Sequence, residues 1–479
     1  MTTLPRKAVE PPIVLQRDGP APMAVQITAQ LRDAVAGSRL RAGERLPSSR
    51  ALANALGVSR TVVANAYIQL SAEGWLEARH GSGTYVTQGA AGNGEAAAQQ
   101  VATPAAGGAG PSGPPEAALT ATRPGIPWVA GIDQAAWRRA WRRAGDAPPS
   151  PWPDPRGLPA LRTALCDYLR RSRGLSCTPG HILITRGAAN GLSLLALALL
   201  RPGERAGLEE PGYPVGRAIL AARGARVMPC PVDSHGLLVD RLPGGLRLVY
   251  VTPAHQYPLG GRLPVPRRQA LVTWARRTGG LVVEDDYDSE FRYDVAPLPA
   301  LYGLDPDVVA YLGTTAKTLT PALGVGWLVA KPDLVTALAE TRESIGDRPA
   351  EAAQRAVLSM IETGDLHRHI RRMRREYARR RDAIVSLLSE PGLPVTLLGD
   401  TAGLHVVLEL HRADEDEVAA AVRGRGVAVQ TLGQYFSGPQ SMQGLVLGYG
   451  GLSLGQVTAA VTTLRDVLAG RPSGPGQPG

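Results

Sequence analysis

The sequence of 479 residues is poor in cysteine and in long apolar runs. Its three cysteines, Cys166, Cys177 and Cys230, are odd in number, and no two have C-x-x-C spacing. This excludes a disulfide scaffold and a cysteine-rich zinc site. No apolar run reaches the roughly 18 to 20 residues that a membrane span needs. Residues 1–12 also lack the apolar region of a secretory signal. These absences predict a protein of the reducing cytosol.

Lysine is almost absent, because Lys7, Lys317 and Lys331 are the only lysines among 52 basic residues. Arginine therefore supplies the positive charge, and a retained lysine indicates a position that needs a primary amine. The net charge of +10 suits a polyanion partner, although a merely basic surface would carry the same charge. Hydrophobic residues make up 44%, enough for the cores of two or three domains.

Composition divides the chain into four zones. Residues 1–88 are mixed and helical in pattern, whereas residues 89–125 are rich in Ala, Gly and Pro and predict a flexible linker. Residues 126–469 alternate strand and helix patterns, and residues 470–479 predict a disordered tail. We therefore expect a small front domain that is tethered to a large α/β domain.

The front zone has the pattern of short helices joined by a glycine turn. Apolar residues at helical spacing predict a first helix at 23–36, and LPSSRALANALG predicts a second, capped by Ser48 or Ser49 and ended by Gly57. Ser59 then caps a third helix in SRTVVANAYIQLSAEG. Two such helices form the helix-turn-helix signature, in which the start of the second helix meets base edges.

A basic, glycine-rich hairpin follows these helices. Trp75, Leu76 and Ala78 predict one strand and residues 84–86 another, with the turn RHGSG between them. A hairpin in this place is typical of a wing that lies along a DNA groove. A small helical domain with solvated arginines would share parts of this pattern, but the ordered combination favours DNA binding.

The stretch from residue 31 to residue 86 resembles the winged helix-turn-helix domain of GntR-type bacterial regulators, an α+β fold. The resemblance implies that the partner is double-stranded operator DNA. It also implies which residues contact the bases, the phosphates or the minor groove: Arg50, Ser59, Arg60, Thr61 and Gly81.

In the large zone, polar motifs follow the predicted strands. They are RGAAN after strand 182–186, EEPGYP, TPAHQYPLG, DDYDSEF and TTAKT. In open α/β sheets, ligands bind beyond the carboxyl ends of the strands, so these motifs are expected to share one crevice.

The chemistry of this crevice matches pyridoxal 5′-phosphate (PLP). Lys317 offers an amine for a Schiff base, Asp285 a carboxylate for a pyridinium nitrogen, and Tyr287 a phenol for a ring hydroxyl. The helix that opens at Gly187 offers N–H groups and its dipole to a phosphate, and Thr314 adds a hydroxyl. A single such feature is commonly structural, whereas the ordered set favours a PLP site.

From about residue 150 to residue 469, the chain resembles a fold-type I aminotransferase. VTPAHQYPLG, EDDYDSEFRYD and GTTAKTLTPALGVGW are similar to motifs of the MocR-type regulators, which join a GntR-type winged domain to an aminotransferase-like domain. The resemblance implies a homodimer and an internal aldimine on Lys317. It also implies the other residues that hold PLP: Asp285, Tyr287, Ala188, Ala189, Thr314, His255 and Tyr257.

Three features depart from the family pattern. Gly324 stands where the family usually has an arginine that grips the phosphate, and Ala316 stands where it has a serine. Arg186 or Arg217 could replace the missing guanidinium. The stretch GLVLGYGG contains no arginine to clamp a substrate carboxylate, which argues against efficient transamination.

Three hypotheses follow. The first is a transcription regulator that senses PLP, an amine or an amino acid, with no metal. The second is a working aminotransferase whose front domain is incidental. The third is a regulator whose large domain has lost PLP, as Gly324 and Ala316 would allow.

Overall fold

The computed structural model describes residues 9, 11, 13–16, 22–37, 39–72, 75–79, 83–87, 119–293 and 299–471. The chain divides into two compact units, Met1–Pro111 and Ser112–Gly479. Within the described ranges, no helix combines the length and the apolar character that a membrane span requires.

The first unit is a three-helix domain with a two-stranded hairpin. Its described elements are α1 Met23–Ala36, α2 Ser49–Leu56, α3 Arg60–Ala72, β1 Leu76–Arg79 and β2 Gly83–Val86. The Ser48 hydroxyl caps α2 by accepting a hydrogen bond from the Ala51 N–H at 3.2 Å, and Gly57 ends the helix at φ 63°. Apolar residues from all three helices and the hairpin form its core. The antiparallel pairing of β1 with β2 has the arrangement expected of a wing.

The second unit alternates helices and strands over most of its length. The helices that the structure describes there are α4 Gln134–Gly145, α5 Pro159–Arg173, α6 Ala188–Leu199, α7 Pro214–Ala222, α8 Val265–Thr278, α9 Pro332–Ser344, α10 Glu351–Glu362, α11 Asp365–Leu388, α12 Glu415–Gly424 and α13 Leu454–Leu468. The described strands are β3 Thr120–Ala121, β4 Ile182–Thr185, β5 Arg205–Glu210, β6 Arg226–Asp233, β7 Gly236–Leu237, β8 Leu246–Val251, β9 Leu281–Asp286, β10 Val309–Thr314, β11 Gly326–Val329, β12 Val395–Leu398, β13 His405–Leu410, β14 Val427–Ala428, β15 Gln430–Thr431 and β16 Gly444–Gly448.

The main sheet of this unit has eight strands in the order β4-β11-β10-β9-β8-β5-β6-β7 among the residues described. The run from β10 to β6 is parallel, and β11 and β7 are antiparallel to their neighbours. The central strands are buried on both faces, as is usual for parallel strands covered by helices. Because β5, β8, β9 and β10 are parallel, their carboxyl ends lie at one edge of the sheet, where the sequence predicts the crevice.

A smaller antiparallel sheet, β12-β13-β16-β15, follows the long helix α11. The linker prediction was wrong at its end, because Thr120–Ala121 forms β3, which pairs with β14 Val427–Ala428. The Thr120 and Thr122 N–H groups donate to the carbonyls of Gly426 and Ala428 at 2.9 Å each. Residues 119–125 therefore belong to the second unit. A pairing of two residues with a distant strand leaves no periodic pattern in the sequence.

Candidate functional site

A cavity of about 340 Å³ lies at the carboxyl edge of the main sheet. Its lining comes from the ends of several strands and from the segment before α4. The residues that line it are Pro124, Arg186, Gly187, Ala188, Ala189, Tyr213, Tyr250, Thr252, Tyr257, Asp285, Tyr287, Thr314, Thr315, Ala316, Lys317, Thr320, Pro321, Gly324 and Val325. The parallel topology thus brings together motifs that lie between residues 186 and 325 in sequence.

Lys317 follows β10 in a loop that Thr315 holds in place. The Thr315 N–H and hydroxyl both donate to the Val325 carbonyl, at 3.0 and 2.7 Å. The Lys317 Nζ donates to the Gly125 carbonyl at 2.7 Å. Burial lowers the pKa of Lys317, and the carboxylates of Asp288 and Asp285 oppose this shift. The lowered pKa increases the neutral fraction of the amine, which is the nucleophilic form.

Asp285 is the penultimate residue of β9, and only one of its two oxygens has a hydrogen-bond partner among the described residues. Its Oδ2 accepts a hydrogen bond from the Tyr250 hydroxyl. Its Oδ1 is buried and meets no hydrogen-bond partner in the described part of the chain. Burial raises the pKa of Asp285 to about 7, while the Tyr250 hydrogen bond lowers it. A buried oxygen of this kind is suited to a cationic N–H donor.

Tyr287 lines the cavity, whereas His255 lies behind it. The Tyr287 hydroxyl donates to the His255 carbonyl at 3.0 Å, and His255 Nδ1 lies 3.0 Å from Asp288 Oδ2. His255 is only 4% exposed and is not among the cavity-lining residues. His255 therefore does not line the cavity, because its contacts with Asp288 and Tyr287 hold it behind the phenol, and its place beside a bound ring stays a prediction.

His255, Asp288 and His405 bring their ligand atoms within 4.8 Å of one another. His405 Nε2 lies 2.8 Å from the Pro258 carbonyl, to which it donates. Burial lowers the pKa of His405 to about 4, so the ring is neutral at pH 7. Through His255, this cluster contacts the hydroxyl of Tyr287, which lines the cavity.

Tyr257 reaches the cavity from the loop after β8, which a buried carboxylate orders. Glu209 accepts from the Thr252 N–H at 3.1 Å and from Gln256 Nε2 at 3.4 Å. The Thr252 hydroxyl in turn accepts from the Tyr257 N–H at 2.9 Å. The Tyr257 ring packs edge-on against Tyr213, with centroids 5.8 Å apart. Tyr257 thus forms part of an aromatic wall.

The opposite end of the cavity is built from the start of α6. Gly187 precedes the helix at φ 88°, a backbone angle that favours glycine. The N–H groups of Ala188 and Ala189 lie in the first turn and have no acceptor among the described residues. The Thr314 hydroxyl accepts from the Ala316 N–H at 3.0 Å and keeps its own hydrogen for donation. These donors, together with the helix dipole, suit an anion.

The two arginines that could replace a guanidinium at Gly324 differ in position. Arg186 lines the cavity, but its Nη2 pairs with Asp347 at 2.5 Å and its side chain is 56% exposed. Arg217 lies outside the lining and is bound to Glu210 and to the Tyr435 carbonyl, at 3.1 and 2.8 Å. Gly324 adopts φ +55°, and a Cβ placed there would meet no atom within 4 Å. Of the two arginines, Arg186 is thus the better placed to replace the missing guanidinium, although it also forms an ion pair with Asp347.

Sequence reasoning missed Tyr250 and the Gly125 carbonyl, and it gave no role to Tyr213 of the EEPGYP motif. The Tyr250 hydroxyl donates to Asp285. The Tyr213 ring stacks on the Tyr250 ring, with centroids 6.3 Å apart and planes at 19°. A tyrosine in the buried strand LRLVYV was the available signal, since a buried hydroxyl requires a partner. The Gly125 carbonyl gave no signal, because backbone contacts between distant segments are invisible in a sequence.

The residues expected to meet DNA lie at the starts of α2 and α3. Arg50 is the second residue of α2, Arg60 and Thr61 begin α3, and Ser59 directly precedes it; all four are exposed. Gly81 lies outside the described residues. The helices thus present two arginines at the end where a recognition helix meets bases.

Comparison with known proteins agrees with both units. Residues 23–86 match the model of bacterial regulatory proteins of the gntR family, and residues 136–441 match that of aminotransferase class I and II. The HTH-type pyridoxine biosynthesis transcriptional regulator PdxR of Corynebacterium glutamicum is 39% identical over 92% of this chain and 94% of its own length. The probable rhizopine catabolism regulatory protein MocR of Rhizobium meliloti is 34% identical over 95% of this chain and 96% of its own length.

Solved structures agree on the fold of the second unit. An archaeal alanine:glyoxylate aminotransferase is similar with a TM-score of 0.69 and 23% identity, covering 74% of this chain and 91% of that one. A multiple substrate aminotransferase from Thermococcus profundus gives a TM-score of 0.68 with 23% identity, over 74% of this chain and 92% of that one. The chain therefore belongs to the MocR-type transcription regulators, in which a GntR-family helix-turn-helix domain precedes a domain with the fold-type I aminotransferase fold.

Proposed function

We propose that this regulator binds PLP covalently through Lys317 and that PLP loading changes its binding to operator DNA. The observation that carries the proposal is the pairing of two groups in one cavity. The Lys317 amine faces the same space as Asp285, whose Oδ1 is buried and without a partner in the described chain. An amine, an orphaned carboxylate oxygen and a helix start are the three contacts that PLP requires.

The remaining residues fit the same group. PLP supplies an aldehyde that reacts with a primary amine, and Lys317 would hold it. Asp285 would accept from the pyridinium nitrogen, and Tyr287 would face the ring oxygen. Ala188, Ala189 and Thr314 would donate to the phosphate, and Tyr257 would lie beside the ring.

The cavity favours PLP itself over an amino acid as the sensed ligand. Arg186 is the one arginine among its described lining residues, and Asp347 already neutralises it. In β16, at GLVLG, the chain has buried Val446 and no arginine. An α-carboxylate would therefore enter without a strong cationic partner. The name of the Corynebacterium relative, a regulator of pyridoxine biosynthesis, is consistent with this choice.

Regulation then requires that PLP binds two arrangements of the protein with different affinity. The front unit would bind the operator through Arg50, Ser59, Arg60, Thr61 and Gly81, the last of which lies outside the described residues. We expect a cytoplasmic homodimer, and sedimentation of the full chain with and without PLP tests its oligomeric state.

Titration of the purified full chain with PLP tests the central step. We expect a visible absorbance band and, after borohydride reduction and proteolysis, a phosphopyridoxyl group on the peptide that contains residue 317. Lys317→Ala should lose both signals. Lys331→Ala is the matched control, since Lys331 is exposed, and it should keep them.

Two results would contradict the proposal. Absence of any Lys317-dependent adduct at millimolar PLP would leave the second unit as a scaffold without cofactor. Sustained conversion of an amino acid and a keto acid at about 1 per second or faster would instead indicate a working aminotransferase.

A further inference from the structure

Residues 120–128, here called the strap, form a wall of the cavity that contains Lys317. Pro124 lines the cavity, and the Gly125 carbonyl accepts from Lys317 Nζ at 2.7 Å. Gly125 adopts φ +73°, and a Cβ added there would lie 2.4 Å from that Nζ. The amine therefore sits directly against the backbone of the strap, and Gly125 leaves just enough room for it.

The glycines at the end of β16 and directly after it leave room for the strap, which packs on them. A Cβ on Gly448 would come within 2.1 Å of the Arg123 carbonyl oxygen. A Cβ on Gly450 would come within 2.4 Å of the Ile126 carbonyl oxygen, and one on Gly451 within 2.8 Å of the Ile126 side chain. The strap thus packs against the GYGG sequence, which lies in the stretch that lacks an arginine clamp.

The two ends of the strap are held by different contacts. At its start, the Thr122 hydroxyl donates to the Ala428 carbonyl at 3.0 Å and the Gly448 N–H donates to the Thr122 carbonyl at 2.9 Å. At its end, the Trp128 N–H donates to the Tyr377 hydroxyl at 2.8 Å, and the Arg380 guanidinium stacks 4.0 Å from the Trp128 ring. Gly125 lies between these anchors, so Lys317 supplies the central one.

We infer that the strap is a latch that senses the chemical state of Lys317, an inference that rests on the proposed function. The amine holds the Gly125 carbonyl by donating a hydrogen. When the amine condenses with an aldehyde, its nitrogen forms a double bond to the aldehyde carbon, and its two hydrogens leave with the aldehyde oxygen as water. The nitrogen then turns toward the ligand, and the Gly125 carbonyl loses its donor.

The position of the strap in the sequence connects the latch to the DNA-binding unit. The strap begins one residue after the stretch 89–118, which leads in sequence from the DNA-binding unit. Loss of the central anchor weakens the attachment of the chain where it enters the second unit. Occupancy of the cavity is thereby connected to the chain segment that leads to the DNA-binding unit.

Hydrogen exchange of the full chain measures the latch directly. The reporters are the N–H groups of Thr120, Thr122 and Gly448, whose hydrogen bonds hold the strap to β14 and β16. With PLP bound, we expect these amides to exchange about three- to ten-fold faster, which corresponds to the loss of one hydrogen bond. Lys317→Ala should exchange at the fast rate with or without PLP.

Gly125→Ala tests the same contact without altering the lysine. Its Cβ would displace Nζ, so the strap amides should exchange fast before PLP is added. Gly279→Ala is the matched control, since Gly279 has a similar φ of +70° and a Cβ there would meet nothing within 4 Å. It should keep the slow exchange of the wild-type protein.

The outcomes separate the latch from the proposed function. If PLP forms its adduct on Lys317 and the three amides exchange at an unchanged or slower rate, the latch is wrong while PLP binding stands. If no adduct forms, both the proposed function and the latch are overturned. Fast exchange in Gly279→Ala would show that backbone strain alone loosens the strap, which also overturns the latch.

Discussion

The Tyr250 hydroxyl donates a hydrogen bond to one oxygen of Asp285, and the other oxygen has no partner among the described residues. Tyr250 is 2% exposed and Asp285 5%. A buried polar atom without a partner costs about 1 to 3 kcal/mol of stability. The fold therefore tolerates an unfavourable carboxylate at the place where we propose that a pyridinium binds.

Asp285→Asn should weaken PLP binding and leave the ligand-free protein at least as stable as wild type. An amide can still accept from Tyr250 but cannot neutralise a pyridinium, so we expect roughly 10- to 100-fold weaker binding, the usual worth of a charge-assisted hydrogen bond. Absorbance titration and thermal unfolding measure the two effects. Equal PLP affinity in the variant would show that the carboxylate does not contact the ring nitrogen.

The advantage of Asp285→Asn in stability should grow with pH. Burial raises the pKa of Asp285 from 3.8 to about 7, so the folded protein holds this proton more tightly than the unfolded chain does. Ionisation of Asp285 therefore destabilises the fold progressively between about pH 4 and 7, and constantly above that. The difference in free energy of unfolding between variant and wild type should be larger at pH 8 than at pH 5. A difference that is independent of pH would contradict the raised pKa.

PLP should also bind faster at pH 8 than at pH 6. The shifts that favour reaction are the lowered pKa of Lys317 and the loss of the Asp285 proton near pH 7. As pH rises, a larger fraction of the protein has a neutral Lys317 amine and a charged Asp285 carboxylate. Stopped-flow absorbance at fixed PLP concentration measures the rate, and Asp285→Asn should show a weaker dependence on pH across this interval.

Gly324→Arg should strengthen binding of the phosphorylated aldehyde selectively. Gly324 lines the cavity and has open space where a side chain would begin. A guanidinium there adds a charge-assisted contact, partly offset by about 1 kcal/mol or more of strain from the left-handed backbone. We expect roughly ten-fold tighter PLP and unchanged pyridoxal, measured by absorbance titration.

Gly324→Ala controls for the backbone strain in this experiment. It should bind both aldehydes as wild type does or slightly more weakly. If Gly324→Arg tightened pyridoxal as much as PLP, the contact would not be with the phosphate.

Arg60→Ala should weaken operator binding and relax base discrimination. Arg60 is the exposed first residue of α3, and a bidentate arginine–base contact is worth about 1 to 3 kcal/mol. Gel-shift titration of the operator and a scrambled duplex over a salt series separates base from phosphate contacts. Arg39→Ala changes the charge equally from an exposed position after α1 and should preserve the discrimination.

Much of this molecule could be predicted from local patterns. The caps at Ser48 and Gly57 set the ends of α2, and strand-then-polar motifs placed Asp285, Tyr287, Thr314 and Lys317 at one edge of a parallel sheet. These predictions worked because they depend on neighbouring residues and on a topology in which the parallel central strands end together.

Tertiary structure decided the rest. The sequence alone determined that an amine, a carboxylate and a helix start follow strands of one α/β unit behind a helix-turn-helix domain. Only the fold showed that Tyr250 donates a hydrogen bond to one of the two Asp285 oxygens and that His255 lies behind Tyr287. Only the fold showed, too, that the carbonyl of Gly125, a residue assigned to the linker, accepts a hydrogen bond from Lys317. Such contacts join segments up to 192 residues apart through backbone atoms and buried hydroxyls. Because every residue has the same backbone carbonyl, no side-chain pattern can predict which carbonyl will accept a hydrogen bond from the lysine.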